Sequence, residues 1–178
     1  ALSFSVSGAA FADSAGMSFF LTGVGKSDGA NLGGLDGADA HCAALAKAAG
    51  STKTNWRAYL STTGAMGEAG INARDRIGKG PWVNSAGVQI AANVEELHTP
   101  ALNKINTENG RAETGRMIPS RLFVVNQRDI LTGTLADGTV FDRLNVVQRT
   151  GITQAVALVQ GYGCGRIVYL DGDRRSLA

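Results

Sequence analysis

Residues 35–50, LDGADAHCAALAKAAG, followed at 56–61 by WRAYLS, decide how the rest of this chain is read. In the first stretch Ala38, Cys42, Leu45, Ala46 and Ala49 recur at helical spacing and make one narrow apolar stripe. Asp36 stands where an N-cap carboxylate would accept from the first free backbone N–H groups, and Gly50 stands where a helix stops. The small side chains of the stripe allow close packing against a sheet, with Cys42 pointing inward. The second stretch alternates apolar and polar, the period of a half-buried strand. Strands and helices do not alternate regularly beyond it, which disfavours a doubly wound sheet and favours an α+β domain with long loops.

Working outward, residues 17–22, MSFFLT, are β-prone and predict a first strand, and 23–34 are Gly-rich loop. Residues 62–70 read as loop. Residues 72–84, NARDRIGKGPWVN, are polar and broken at Gly80-Pro81. A short strand is expected at 88–92 and a short helix within 93–104, broken at Pro100. Residues 106–116 form a polar loop with a turn at Asn109-Gly110. LFVVN at 122–126 predicts a buried strand, 127–143 a further loop, and RIVYL at 166–170 the last strand. Weaker apolar stretches lie at 144–147 and 155–159. No internal repeat or linker interrupts the chain.

Bulk properties narrow the classes. With 178 residues and 44% hydrophobic content the chain has material for one core, and its 24 glycines suit a loop-rich fold. A net charge of +2 makes no case for nucleic acid, although arginines cluster at Arg74 and Arg76, Arg111 and Arg116, and Arg174 and Arg175. Residues 2–12, LSFSVSGAAFA, end in an A-x-A pattern at Ala10-Phe11-Ala12, as the end of a secretory signal peptide does. Residues 1–12 are therefore expected to be a signal-peptide remnant and 13–178 one domain, periplasmic or secreted; the alternative is an ordinary first strand. No apolar run has membrane-spanning length. Cys42 and Cys164 are an even pair, which an oxidising compartment would join in a disulfide; the alternative is two buried thiols. Two cysteines and two distant histidines do not make a zinc cluster.

Several blocks carry a family resemblance. NLGGLDGADAHCAALAKAAG at 31–50 with WRAYLST at 56–62, then NARDRIGKGPWVN at 72–84 with VQIAANVEELH at 88–98, then DILTGTLADGT at 129–139, resemble bacterial secreted lectin-like domains. Those domains are related to the C-type-lectin and endostatin folds, and the blocks span about residues 17–140 in the expected order. The resemblance implies small mixed or antiparallel sheets with one or two helices, and ligand or calcium binding in the long loop. The EPN, QPD and WND signatures of calcium-dependent sugar binding are absent. In such domains the third block leads to a Cys and a Trp-containing strand, and residues 140–178 lack that Trp.

Catalytic patterns find little support. Gly25-Lys26-Ser27 lacks the upstream Gly of a phosphate loop, since Phe20 stands there, and Gly161, Gly163 and Gly165 lack the context of a dinucleotide site. There is no G-x-S-x-G elbow. His41 and Cys42 are helix neighbours that do not face each other. Two polar clusters remain. Asn126, Asp129, Asp137 and Asp142, with Thr132, lie in one loop region and offer the oxygens calcium needs, although the same residue types make turns. Arg74, Asp75 and Arg76, with Asn72, lie near Trp82: two guanidinium forks suit carboxylate or sulfate, and an indole could stack on a sugar. The other reading of that cluster is an internal network bracing a loop, with Trp82 in the core. The expectation is a non-enzymatic module that recognises a glycan or protein surface. The alternative is a structural or assembly subunit without a small ligand.

Overall fold

An extended segment at 56–62 runs between two apolar clusters, and everything else is hung from it. The computed structural model describes residues 16–22, 32–64, 69–119 and 132–141. Trp56, Ala58 and Leu60 face one cluster, which holds Met17, Phe20 and the buried side of the first helix. Tyr59 faces the other, with Phe19, Ile77, Trp82, Ile90 and Leu97. The period-2 pattern in WRAYL therefore sorts side chains to opposite faces, as it would in a strand. Phe20 and Trp56 meet edge to face with ring centroids 5.0 Å apart.

The first helix, α1, spans Gly34–Ala48 and buries Ala38, Asp39, Cys42 and Ala46. It starts earlier than Asp36 suggests. Gly33 is the N-cap, in the left-handed region at φ 76°, and Asp36 falls in the first turn, where a carboxylate complements the helix dipole. The C-terminus behaves as the sequence implies. Gly50 takes φ 88° and donates to Lys47 O, while Ser51 N donates to Ala46 O, the paired bonds of a Schellman stop. Leu45 is only half-buried, packed at the margin of its cluster.

Neither 17–22 nor 56–61 forms the strand expected of it. Ser18 N donates to Val83 O and Leu21 N to Arg111 O, both at 2.8 Å, and Leu21 forms an isolated parallel bridge with Ala112. Around Ala58, side chains take the place of a neighbouring strand. Asp39 Oδ1 accepts from Ala58 N at 2.7 Å, and Arg76 Nη1 donates to Ala58 O at 2.7 Å. The alternation was legible because it records burial; the pairing was not, because its partners are remote side chains.

Three short elements continue the chain. α2 is Ala73–Arg76, within the polar stretch 72–84. β1, Trp82–Val83, pairs antiparallel with β2, Gln89–Ala91, through a register irregularity. The turn between them is held by buried Asn84, whose Oδ1 accepts from Ala86 N and Val88 N. α3, Val94–Leu97, is capped by Asn93, whose side chain accepts from Glu96 N. The helix expected in 93–104 is thus a single turn. Thr99 precedes Pro100, which disfavours helical backbone at Thr99, and Asn103 Nδ2 ties off the Leu97 and Thr99 carbonyls. Among the described residues, one substantial helix, short helices and a small antiparallel pair agree with an α+β domain at that level of description. Among the described residues no helix is long and apolar enough to cross a membrane.

Candidate functional site

Asp39 is the one acid on the otherwise apolar buried face of α1, and the site grows from it. Besides holding Ala58 N, it accepts from Arg76 Nη2 at 2.8 Å and from Arg57 Nη1 at 3.1 Å, both at Oδ2. Arg76 closes the ring by donating to Ala58 O. One carboxylate thereby fastens α1, the central extended segment and α2. The Arg57 side chain keeps 50% of its exposure and the Arg76 side chain 15%, so Arg76 carries most of the desolvated pairing.

Above this ring lies an open cleft of about 560 Å³. Its walls come from the 16–18 segment, from 53–57, and from 76–83 as the chain turns out of α2 into β1. Lys53, Arg57, Arg76 and Lys79 line it, together with Asn55 and Ser18, and no Asp or Glu is among its described lining residues. Lys53 Nζ donates to Met17 O at 2.8 Å and Gly16 O at 3.3 Å, which fixes the 16–18 wall. Ser18 Oγ donates to Pro81 O and accepts from Val83 N, tying that wall to β1. Gly80 allows the other wall to lie flat: at φ 102°, a Cβ would stand 2.9 Å from Trp82 Cζ3 and would also strike the Ala92 carbonyl.

A second polar cluster sits beneath the 135–139 turn. His98 Nδ1 lies 2.7 Å from Val94 O, and Nε2 lies 2.9 Å from the Tyr59 hydroxyl. A carbonyl can only accept, so Nδ1 carries the proton, and in the neutral ring Nε2 accepts from the phenol. Burial lowers the His98 pKa, and the nearby Arg74 charge lowers it further; the Val94 carbonyl, Asp137 and Glu95 act the other way. Burial also raises the Tyr59 pKa, with the Asp137 charge adding to it. The consequence for stability has a definite sign. Between the depressed folded value and the unfolded value near 6.5, the unfolded chain binds more protons. His98 therefore contributes stability above about pH 6.5 that is lost as the pH falls. Urea melts between pH 7.5 and 5 should show that decline, and His98→Gln should flatten it; an unchanged slope in the variant would remove His98 as its source.

The residues singled out in the sequence separate into different roles. Arg74 Nη1 donates to Asp137 O at 2.8 Å, bracing the 135–139 turn rather than facing the cleft. Asp75 accepts from Asn72 Nδ2 at 2.8 Å at the surface. Arg76 reaches the cleft while bound to Asp39 and Ala58. Trp82 is fully buried, so its ring face is closed to solvent, and its Nε1 has no hydrogen-bond partner among the described residues. Asp137 Oδ1 accepts from Thr139 N at 3.0 Å and Thr139 Oγ1 at 2.6 Å, shaping its own turn. Asn126, Asp129 and Asp142 lie outside the described residues, as do Cys164, residues 1–12 and the strands expected at 122–126 and 166–170. Cys42 is buried on α1. Among the described residues no three His, Cys, Asp or Glu side chains converge as metal ligands.

Sequence reasoning missed Asp39, Lys53, Asn55, Arg57 and Lys79. A signal for Asp39 was available: it sits three residues before Cys42 on the same helical face. Comparison with family models, curated proteins and solved structures returns no match of any of the three kinds.

Proposed function

We propose that the chain is an exported, lectin-like recognition module that holds a glycan or a protein surface on its loops. The observation that carries this reading is the cleft: a concave polar surface whose walls are fixed by internal bonds before any ligand arrives. Such pre-organisation limits the ordering cost of binding. The finer fold reading, a C-type-lectin-like domain, is supported by the order of the sequence blocks over 17–140 and by one main helix packed against a loop-rich body. Binding here needs no covalent step.

A screen of the full chain against immobilised glycans and against an extract of extracytoplasmic proteins tests the module reading. Saturable binding to a defined glycan or protein surface supports it. A chain recovered only as a stoichiometric part of a larger assembly, with no separable ligand, would replace it with the structural-subunit reading. Calcium at the 126–142 loop is a separable part of the proposal, tested by melting the protein in EDTA and in millimolar calcium. Occupancy at 100 times the dissociation constant would add about 2.7 kcal/mol, or several degrees. A rise abolished by Asp129→Ala supports the loop site, and no rise removes it.

A further inference from the structure

We infer that Asn109-Gly110 is a latent self-modification site, sealed against deamidation while the 103–118 segment is closed and open to it once that segment lifts. It is the one Asn-Gly pair in the chain. The reaction needs water and no enzyme. The Gly110 amide nitrogen loses its proton to solvent and attacks Asn109 Cγ. A new N–C bond closes a succinimide ring, and the side-chain nitrogen leaves as ammonia. Water then opens the ring at either carbonyl. One opening gives an aspartate at position 109; the other gives an isoaspartyl linkage, in which the main chain runs through Cβ and Cγ. Glycine offers the least hindered amide for the attack, which makes the pair reactive in an open chain.

The fold holds the two reacting groups apart. Gly110 N donates to Asn106 O at 2.8 Å, so the proton that must leave is engaged. The Asn109 carboxamide is held elsewhere, with Nδ2 donating to Lys104 O at 3.1 Å. Asn109 N donates to Asn106 Oδ1 at 2.9 Å and Asn109 O accepts from Asn84 Nδ2 at 3.0 Å, which fixes the main chain on both sides of Asn109 Cα. Gly110 is buried, and a Cβ there would stand 3.0 Å from Asn106 O and 3.2 Å from Leu21 Cδ1. Close packing thus keeps glycine at the position where it makes the sequence labile. Cyclisation has to break the Gly110–Asn106 and Asn109–Lys104 bonds first, which is a local opening of the segment.

The products do not fit back. In the isoaspartyl form an extra methylene enters the main chain before Gly110, and the Asn109 carbonyl that accepts from buried Asn84 becomes a carboxylate off the main chain. In the aspartyl form the Nδ2 donor is gone, and a carboxylate oxygen faces the Lys104 carbonyl, acceptor against acceptor. Asn84 also shapes the turn between β1 and β2, and Gly110 O accepts from the N–H of the core residue Ile118. The change therefore reaches both the strand pair and the core, and refolding does not reverse it.

The test is peptide mapping by mass spectrometry of the full chain aged in mildly alkaline buffer over a series of guanidinium chloride concentrations. The expected result is an amide-to-acid mass gain at 109–110 that accumulates about tenfold or more slowly in native buffer than in full denaturant. The rate should begin to climb below the global unfolding midpoint, because opening the segment is enough. Asn106→Ala removes the side-chain acceptor of Glu108 N and Asn109 N at an exposed position, and should raise the native rate several-fold. Chain aged in denaturant and returned to native buffer should melt lower than unaged chain, while Asn109→Ser, which cannot cyclise in this way, should lose nothing further on ageing. Equal rates in native buffer and full denaturant would overturn the inference. A rate that follows the global transition alone, or a native rate in Asn106→Ala no higher than in the wild type, would overturn the local seal. Aged and unaged chains that melt alike would overturn the exclusion of the products from the fold.

Discussion

Asp39→Ala is expected to destabilise the protein by about 3–5 kcal/mol, the scale found when one member of a buried ion pair is removed. The reason is the charge left behind more than the bonds lost. Arg76, with 15% of its side chain exposed, would keep its position against Ala58 O with no anion beside it. Ala58 N would lose its acceptor in a buried setting. Arg57, half-exposed, would return to water at little cost. Asp39→Asn separates these contributions, because an amide oxygen can still accept from Ala58 N while the charge is gone; its loss should be smaller than that of Ala. The double variant Asp39→Ala with Arg76→Met should recover part of the stability by removing the stranded cation. Urea denaturation reads all three as shifts in midpoint at constant slope. A loss below about 1 kcal/mol for Asp39→Ala would show that the ring of Asp39, Ala58 and Arg76 does not hold α1 to the rest of the fold.

Gly138→Ala should cost on the order of 3 kcal/mol, from two sources that can be measured apart. Gly138 has φ 85°, a conformation side chains disfavour, and a Cβ there would stand 2.6 Å from Arg74 Cβ and press into the His98 ring. Its carbonyl accepts from Arg74 N, so the turn cannot lift without breaking that bond. Gly87→Ala supplies the comparison: φ is 77°, but nothing lies within 4 Å of the added atom. Gly87→Ala should therefore report the backbone strain alone, about 1 kcal/mol, and the difference between the two variants reports the crowding at His98. Equal losses would mean that the 135–139 turn is not packed on His98 and Arg74 as described.

These two residues also show what the sequence could and could not reveal. The stop of α1 at Gly50 and the strand at 89–91 follow from local chemistry, since turn residues and burial period act over a few positions. Segment 56–61 kept its sorting of side chains but not its strand identity, because the groups that satisfy Ala58 come from Asp39 and Arg76, 19 and 18 positions away. The Arg74–Arg76 cluster was visible as chemistry, yet the two arginines diverge, one to the Asp137 carbonyl and one to Asp39. Only the fold brings Lys53, Asn55 and Arg57 opposite Lys79, so the cleft has no contiguous signature. Tyr59 and His98 meet across 39 positions for the same reason.

The central claim, that recognition takes place in the cleft between 53–57 and 76–83, is tested most directly by mapping backbone amide shifts of the full chain during titration with the glycan or protein that the screen returns. The account predicts that the perturbed amides cluster at Lys53, Asn55, Arg57, Gly78 and Lys79, with 94–98 and 135–139 unmoved at sub-saturating ligand. Perturbations centred on the 135–139 turn, or spread without a focus over the cationic surface, would contradict it.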